Sequence, residues 1–203
     1  MPYFPMFVDL KNRPCLIVGG GRIAARKAEK LLPYGPRLTV IAPEICTELD
    51  GLPGIMLLRR AYEPADLEGM VLVIAATDDA ELNHAISTAC RTKNIPVNVV
   101  DDKEHCSFLF PCLVQKGELS VGISTGGASP SAAIWVKEQV NDVLPAELDA
   151  ILAWLEALRP RLKGAIPDET HRAALFSALF RACLAAQRPL TQEELTAVLE
   201  VET

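Results

Sequence analysis

The stretch Cys15–Leu32, CLIVGGGRIAARKAEKLL, sets an apolar run against three consecutive glycines and then a segment with helical spacing. CLIV (15–18) reads as a strand, and four apolar residues in a row suit one covered on both faces. Ala24, Ala28, Leu31 and Leu32 fall on one side of a helix over Ile23–Leu32. Between them, Gly19, Gly21 and Ala24 fit G-x-G-x-x-A. Gly19 permits a tight turn, Gly21 lets the backbone approach a pyrophosphate at the positive helix end, and the small Ala24 lets helix and strand pack closely. Gly20, Arg22 and Ile23 complete the turn, with Arg22 either reaching a phosphate or simply exposed at the helix start. A strand before the glycines and a helix after them turn a weak pattern into a dinucleotide fingerprint.

Outward from this turn the same grammar repeats. LTVIA (38–42), IMLLRR (55–60), MVLVIAAT (70–77) and VNVV (97–100) read as further strands. A helix over Ala80–Arg91 precedes the last, opened by Asp78 as N-cap with Glu81 three residues on. Runs such as LVIAA are apolar throughout, so the fold class is α/β: a Rossmann-type parallel sheet with helices on both faces. Beyond Asp102 the pattern changes. SFLFPCLVQKGELSVGIST (107–125) reads as two strands joined by QKGE, and 129–144 as a helix begun by Ser129 with Pro130 in its first turn. From Pro145 onward only amphipathic helices follow. The expected plan is a nucleotide-binding domain over 1–113, a short β/α segment over 114–145 and a helical domain over 146–203.

The acidic residue that ordinarily holds the adenosine ribose at the end of the second strand is missing. Ile41 and Ala42 occupy its place and Glu44 follows late, so the ribose contact falls to Glu44, the backbone or water. No Arg or Lys lies between residues 38 and 58, where a 2′-phosphate reader would sit, which favours NAD over NADP as cofactor.

Composition narrows the rest. The 203 residues are 50% hydrophobic and 23% charged, enough for a core, and no apolar run is long enough to cross a bilayer. A net charge of −6 argues against a nucleic-acid surface, and a cytoplasmic location is expected. Six cysteines without a C-x-x-C pair read as reduced thiols.

Ligands of open α/β sheets lie beyond the carboxyl ends of the strands, which points to Thr77, Asp78, Asn98, Asp101 and Asp102. Asp78 suits a helix cap; Asp101 has no helix to cap and is either a cleft-facing general base or a solvated loop aspartate. His84 reads as structural and His171 as lying on a polar helix face. His105 and Cys106 are adjacent but lack further ligands at metal-site spacing, so no metal is assigned. STGGASPSA (124–132) is a second glycine-rich turn, with Gly126, Gly127 and the helix at Ser129 expected to offer free N–H groups to an anion, or to be a plain loop with an N-cap.

Taken in order, FPMFVDLKNRPCLIVGGGRIAARKAEKLL, LVIAATDDAELN, VNVVDD, SFLFPCLV and LSVGISTGGASPSAA resemble the precorrin-2 dehydrogenase and sirohydrochlorin ferrochelatase family over about residues 4–145. The resemblance implies NAD-dependent oxidation of precorrin-2 to sirohydrochlorin on a homodimer, with 1–113 as the NAD-binding Rossmann domain and 114–145 as a small β/α dimerisation segment that exchanges contacts between subunits. It puts the catalytic carboxylate at Asp101, cofactor contacts at Gly19 to Ile23, Pro43, Glu44 and Thr77, and a tetrapyrrole cleft at Asn98, Ser107, Phe108, Ser124, Thr125, Gly126, Gly127 and Ser129. Many relatives have small residues where this chain has Asp102, Lys103, Glu104 and His105. Two other readings are carried: an enzyme that also inserts Fe2+ or Co2+ into sirohydrochlorin, and a nucleotide-sensing regulatory module.

Overall fold

Five strands form one parallel sheet in the order β3-β2-β1-β4-β5: β1 (Pro14–Val18), β2 (Arg37–Ile41), β3 (Ile55–Leu58), β4 (Leu72–Ala75) and β5 (Val97–Val99). The computed structural model describes residues 3–202. Alternation along β1 explains why its apolar run is unbroken. Cys15 and Ile17 pack with Ala24, Ala25, Ala28 and Leu31 of α1 (Arg22–Leu31), whereas Leu16 and Val18 pack on the other face with Ile86 and Cys90 of α3 (Ala80–Thr92). Each fully buried Leu or Ile here contributes about 1.5–3 kcal/mol relative to exposure. The crossover from β2 to β3 holds only the single-turn α2 (Thr47–Asp50), and that from β3 to β4 a 3-10 turn at Pro64–Leu67.

The register brings the strand ends to one edge. Val18 pairs with Ile41 on one side and Ala75 on the other, and Ala75 pairs with Val99. The segments after β1, β2, β4 and β5 therefore leave the sheet side by side, at strand spacings of about 4.8 Å.

Two compact units divide the chain between Phe110 and Pro111. The second carries an antiparallel hairpin, β6 (Cys112–Lys116) and β7 (Leu119–Ile123), joined by Gly117 and Glu118. Gly117 has φ +53, and a Cβ there would lie 2.9 Å from that of Asp149. Four helices follow: α4 (Pro130–Val143), α5 (Leu148–Ala165), α6 (Glu169–Ala186) and α7 (Gln192–Glu202). Ile151, Leu158, Leu162, Leu175, Leu179, Cys183, Leu190 and Leu195 make this unit's own core. No helix among the described residues is long and apolar enough to cross a membrane.

Two sequence expectations are corrected, and one of two open readings gains support. The cap of α3 is Asp79, which accepts from the Leu82 N–H at 3.0 Å, because Asp78 sits one position too early to reach it. The first strand of the hairpin begins at Cys112 and not near Ser107. The segment before it instead bonds along β5, with the Ser107 N–H donating to the Val97 carbonyl at 2.8 Å. Most amides of the second glycine turn are not free. Gly126 N–H donates to Ser124 Oγ (3.1 Å), Ala128 N–H to the Thr125 carbonyl (3.1 Å) and Ser129 N–H to Thr125 Oγ1 (3.2 Å).

Candidate active site

Each glycine of the first turn has a separate reason to be there. Gly19 has φ +126, and a Cβ on it would lie 2.2 Å from the Ala76 carbonyl oxygen. Gly20 lies under the loop after β2, where a Cβ would meet the Glu44 carbonyl oxygen at 1.8 Å. Cys46 N–H donates to the Gly20 carbonyl at 2.8 Å, tying the two loops together. Gly21, by contrast, has nothing within 4 Å of a Cβ position and is the N-cap of α1. No acidic residue lies in that helix's first turn to offset its positive end, and with open space beside Gly21 this end suits a pyrophosphate.

Around the turn, Pro43 and Glu44 are exposed beyond the end of β2, and Ile23 is exposed on α1. Arg22 pairs with Glu48 at 3.2 Å, both open to solvent. Thr77, after β4, is held by Asn83 of α3. Thr77 Oγ1 donates to Asn83 Oδ1 at 2.8 Å, and Asn83 Nδ2 donates to the Thr77 carbonyl at 3.0 Å. Asn83 is buried, and this clamp fixes the loop that crosses over Gly19.

Beyond β5 the chain turns sharply. Asp102 N–H reaches back to the Val99 carbonyl at 3.5 Å, and Asp101 has φ +57 with its side chain exposed. A left-handed non-glycine residue costs about 1–2 kcal/mol, least for Asn and Asp. Asp101 thus leaves the same sheet edge as the glycine turn, two strands away.

Asn98, buried on β5, donates to the Phe108 carbonyl at 3.2 Å and accepts from Lys27 Nζ at 3.3 Å. Ser107 Oγ accepts from the Val97 N–H at 2.8 Å. These two residues secure the 106–110 segment to the sheet, and Phe110 carries the Lys27 ammonium 4.3 Å above its ring. Burial lowers the Lys27 pKa, Lys30 lowers it further, and the charges of Cys106 and Asp101 oppose them. Sequence reasoning missed Lys27; its signal was its place one helical turn after Ile23 on α1. Cys106, weighed in the sequence as a metal ligand, instead ties the loop to β5: its Sγ accepts from the Val99 N–H at 3.2 Å and donates to the Asp102 carbonyl at 3.1 Å. Ser124, Thr125, Gly126, Gly127 and Ser129 belong to the second unit, where Ser129 caps α4 by accepting from Ala132 N–H at 3.1 Å.

A family described as "Putative NAD(P)-binding" matches residues 6–112, the unit that carries this glycine turn. The chain belongs to that family. Similarity to curated proteins extends further along the sequence. It is 41% identical over 182 residues to the siroheme synthase of Thioalkalivibrio sulfidiphilus (strain HL-EbGR7), covering 88% of this chain and 37% of that protein. It is 38% identical over 199 residues to the siroheme synthase of Methylobacillus flagellatus (strain ATCC 51484 / DSM 6875 / VKM B-1610 / KT), covering 96% of this chain and 42% of that protein. The chain thus spans about two fifths of the length of these relatives. Among solved structures, "SirC, precorrin-2 dehydrogenase" superposes with a TM-score of 0.80 at 23% identity, covering 98% of each chain. That likeness is one of fold, and it includes the parallel sheet, the hairpin and the terminal helices.

Proposed function

We propose that the chain oxidises precorrin-2 to sirohydrochlorin with NAD as hydride acceptor. The observation that carries this reading is the shared sheet edge: the open helix end at Gly21 and the carboxylate of Asp101 leave the sheet from strands two apart. The first suits the pyrophosphate of a dinucleotide, and the second lies within the reach of its nicotinamide end. NAD, when bound, supplies the acceptor for one hydride. Gly19 to Ile23 hold its phosphates, Thr77 borders it, and Pro43 and Glu44 meet its adenosine. The nearest cations after β3 are committed elsewhere, Arg59 to Asp50 at 2.6 Å and Arg60 to Asp66 at 2.6 Å, which supports NAD over NADP.

Removing two electrons from the reduced macrocycle as hydride also requires loss of one proton. Asp101 is the base in this reading, so precorrin-2 and NAD+ give sirohydrochlorin, NADH and a proton. Lys27 is the cation available to the substrate's carboxylates in this unit, with Asn98, Ser107 and Phe108 on the segment beside Asp101. The names of the relatives and of the structural neighbour support the same substrate.

The test uses Asp101→Asn, which keeps a residue that tolerates positive φ and removes the base. NAD titration should be unchanged, while NADH formation from enzymatically generated precorrin-2 should fall by roughly 100-fold or more. Full turnover by the variant would remove Asp101 from the reaction. A wild-type chain that binds NAD yet never reduces it with precorrin-2 would remove the reaction itself.

A further inference from the structure

His84 of α3 and His105 of the loop after β5 both meet Asp102. His84 Nε2 lies 2.8 Å from Asp102 Oδ2, and His105 Nδ1 lies 2.7 Å from the same oxygen. The two imidazoles stack at 3.8 Å with a 12° interplanar angle, so a shared cation would tilt the rings toward it. All three donor atoms lie within 4.8 Å of one another, and the side chains are 45%, 26% and 38% exposed. Cis donors around a cation with roughly 2.1 Å bonds stand about 3 Å apart, close to the two nitrogen-to-oxygen spacings present here.

From this geometry we propose that His84, Asp102 and His105 form a binding site for a borderline divalent transition cation of the zinc and cobalt class. Two neutral imidazoles and one carboxylate are a donor set such ions favour over magnesium or calcium. The partial exposure leaves coordination positions open to water. The protons now directed at Oδ2 move to His84 Nδ1 and His105 Nε2 when the cation enters, so neutral rings suffice.

The supporting shell is already built. Asp102 Oδ1 accepts from the His105 backbone N–H at 3.2 Å, and Ser87 Oγ donates to the His105 carbonyl at 2.6 Å. Arg91 donates to the carbonyls of Glu104 at 3.0 Å and Cys106 at 3.2 Å, binding the loop to α3. Such outer partners hold ligands in place before metal arrives. The donor set does not include Asp101, and cation binding can be read without precorrin-2 or NAD.

The test is a Co2+ titration of the full reduced chain, followed by visible absorption, beside the same titration of His84→Gln and His105→Gln. One Co2+ per chain is expected, without a sulfur-to-cobalt charge-transfer band, and each variant should bind at least roughly tenfold more weakly while NAD binding persists. Because the chain has only three histidines, histidine-15N spectra of the wild type give a second readout independent of any variant. Saturating Zn2+ should move the resonances of His84 and His105 and leave His171 in place. No binding by the wild type, a thiolate band, affinity unchanged in His105→Gln, or a zinc response confined to His171 would each overturn the assignment.

Discussion

The three consecutive glycines do different work, and substitution separates it. At Gly19 and Gly20 an added methyl meets backbone carbonyl oxygens of neighbouring loops, and Gly19 is also left-handed. Backbone cannot swing aside as a flexible side chain can, so Gly19→Ala should cost about 2–4 kcal/mol in denaturant unfolding. Gly21 faces open space in extended backbone, and Gly21→Ala should stay within about 1 kcal/mol of the wild type. Its NAD affinity should nevertheless fall roughly tenfold or more, because the methyl occupies the approach to the helix end. Equal NAD binding by the Gly21 variant would mean that the dinucleotide does not cross α1 at this turn. The motif could be read from sequence because its spacing encodes these contacts directly. The histidine and aspartate cluster could not, since its members are 18 and 3 residues apart and meet only once α3 has packed beside β5.

Among elements, the strands were the most legible. A sheet covered on both faces needs an unbroken apolar run, and β1 and β4 carry such runs. Helix starts were less so. Asp78 and Asp79 are neighbours of the same type, and only the backbone path after Thr77 decides which reaches the Leu82 amide. Thr77 Oγ1 also accepts from the Asp79 N–H at 3.2 Å, which places Asp79, one residue later than expected, at the helix start. Asp79→Ala should therefore lose about 1 kcal/mol of stability and Asp78→Ala less than about 0.5 kcal/mol, measured by urea unfolding. The reverse order would put the cap back at Asp78. The stretch before β6 was misread for a related reason. FLFP has strand composition, but its hydrogen bonds go to β5 through Ser107 and Asn98, and a proline interrupts it before the hairpin.

At the scale of the molecule, the two units hold separate cores, and the second presents apolar surface that its own core does not use. On α4, Ala133 is buried whereas Ile134, Trp135 and Val143 are 52%, 61% and 78% exposed. The two-stranded hairpin beside them in sequence is too small a sheet to be stable by itself. We infer that a second copy of the chain covers this face, the homodimer that the family resemblance implies. Tryptophan is a frequent centre of such contacts because it removes the most apolar area from water per residue. Trp135→Asp exchanges that area for a charge that resists desolvation, and should raise the dimer dissociation constant at least roughly tenfold, or about 1.4 kcal/mol. Because Trp135 is largely outside its unit's core, the far-ultraviolet circular dichroism of the variant should match the wild type. Sedimentation velocity at micromolar chain concentration reads the result directly: a dimer for the wild type and a shift toward monomer for the variant. A wild-type chain that sediments as a monomer, or a variant that stays dimeric, would move the interface away from α4.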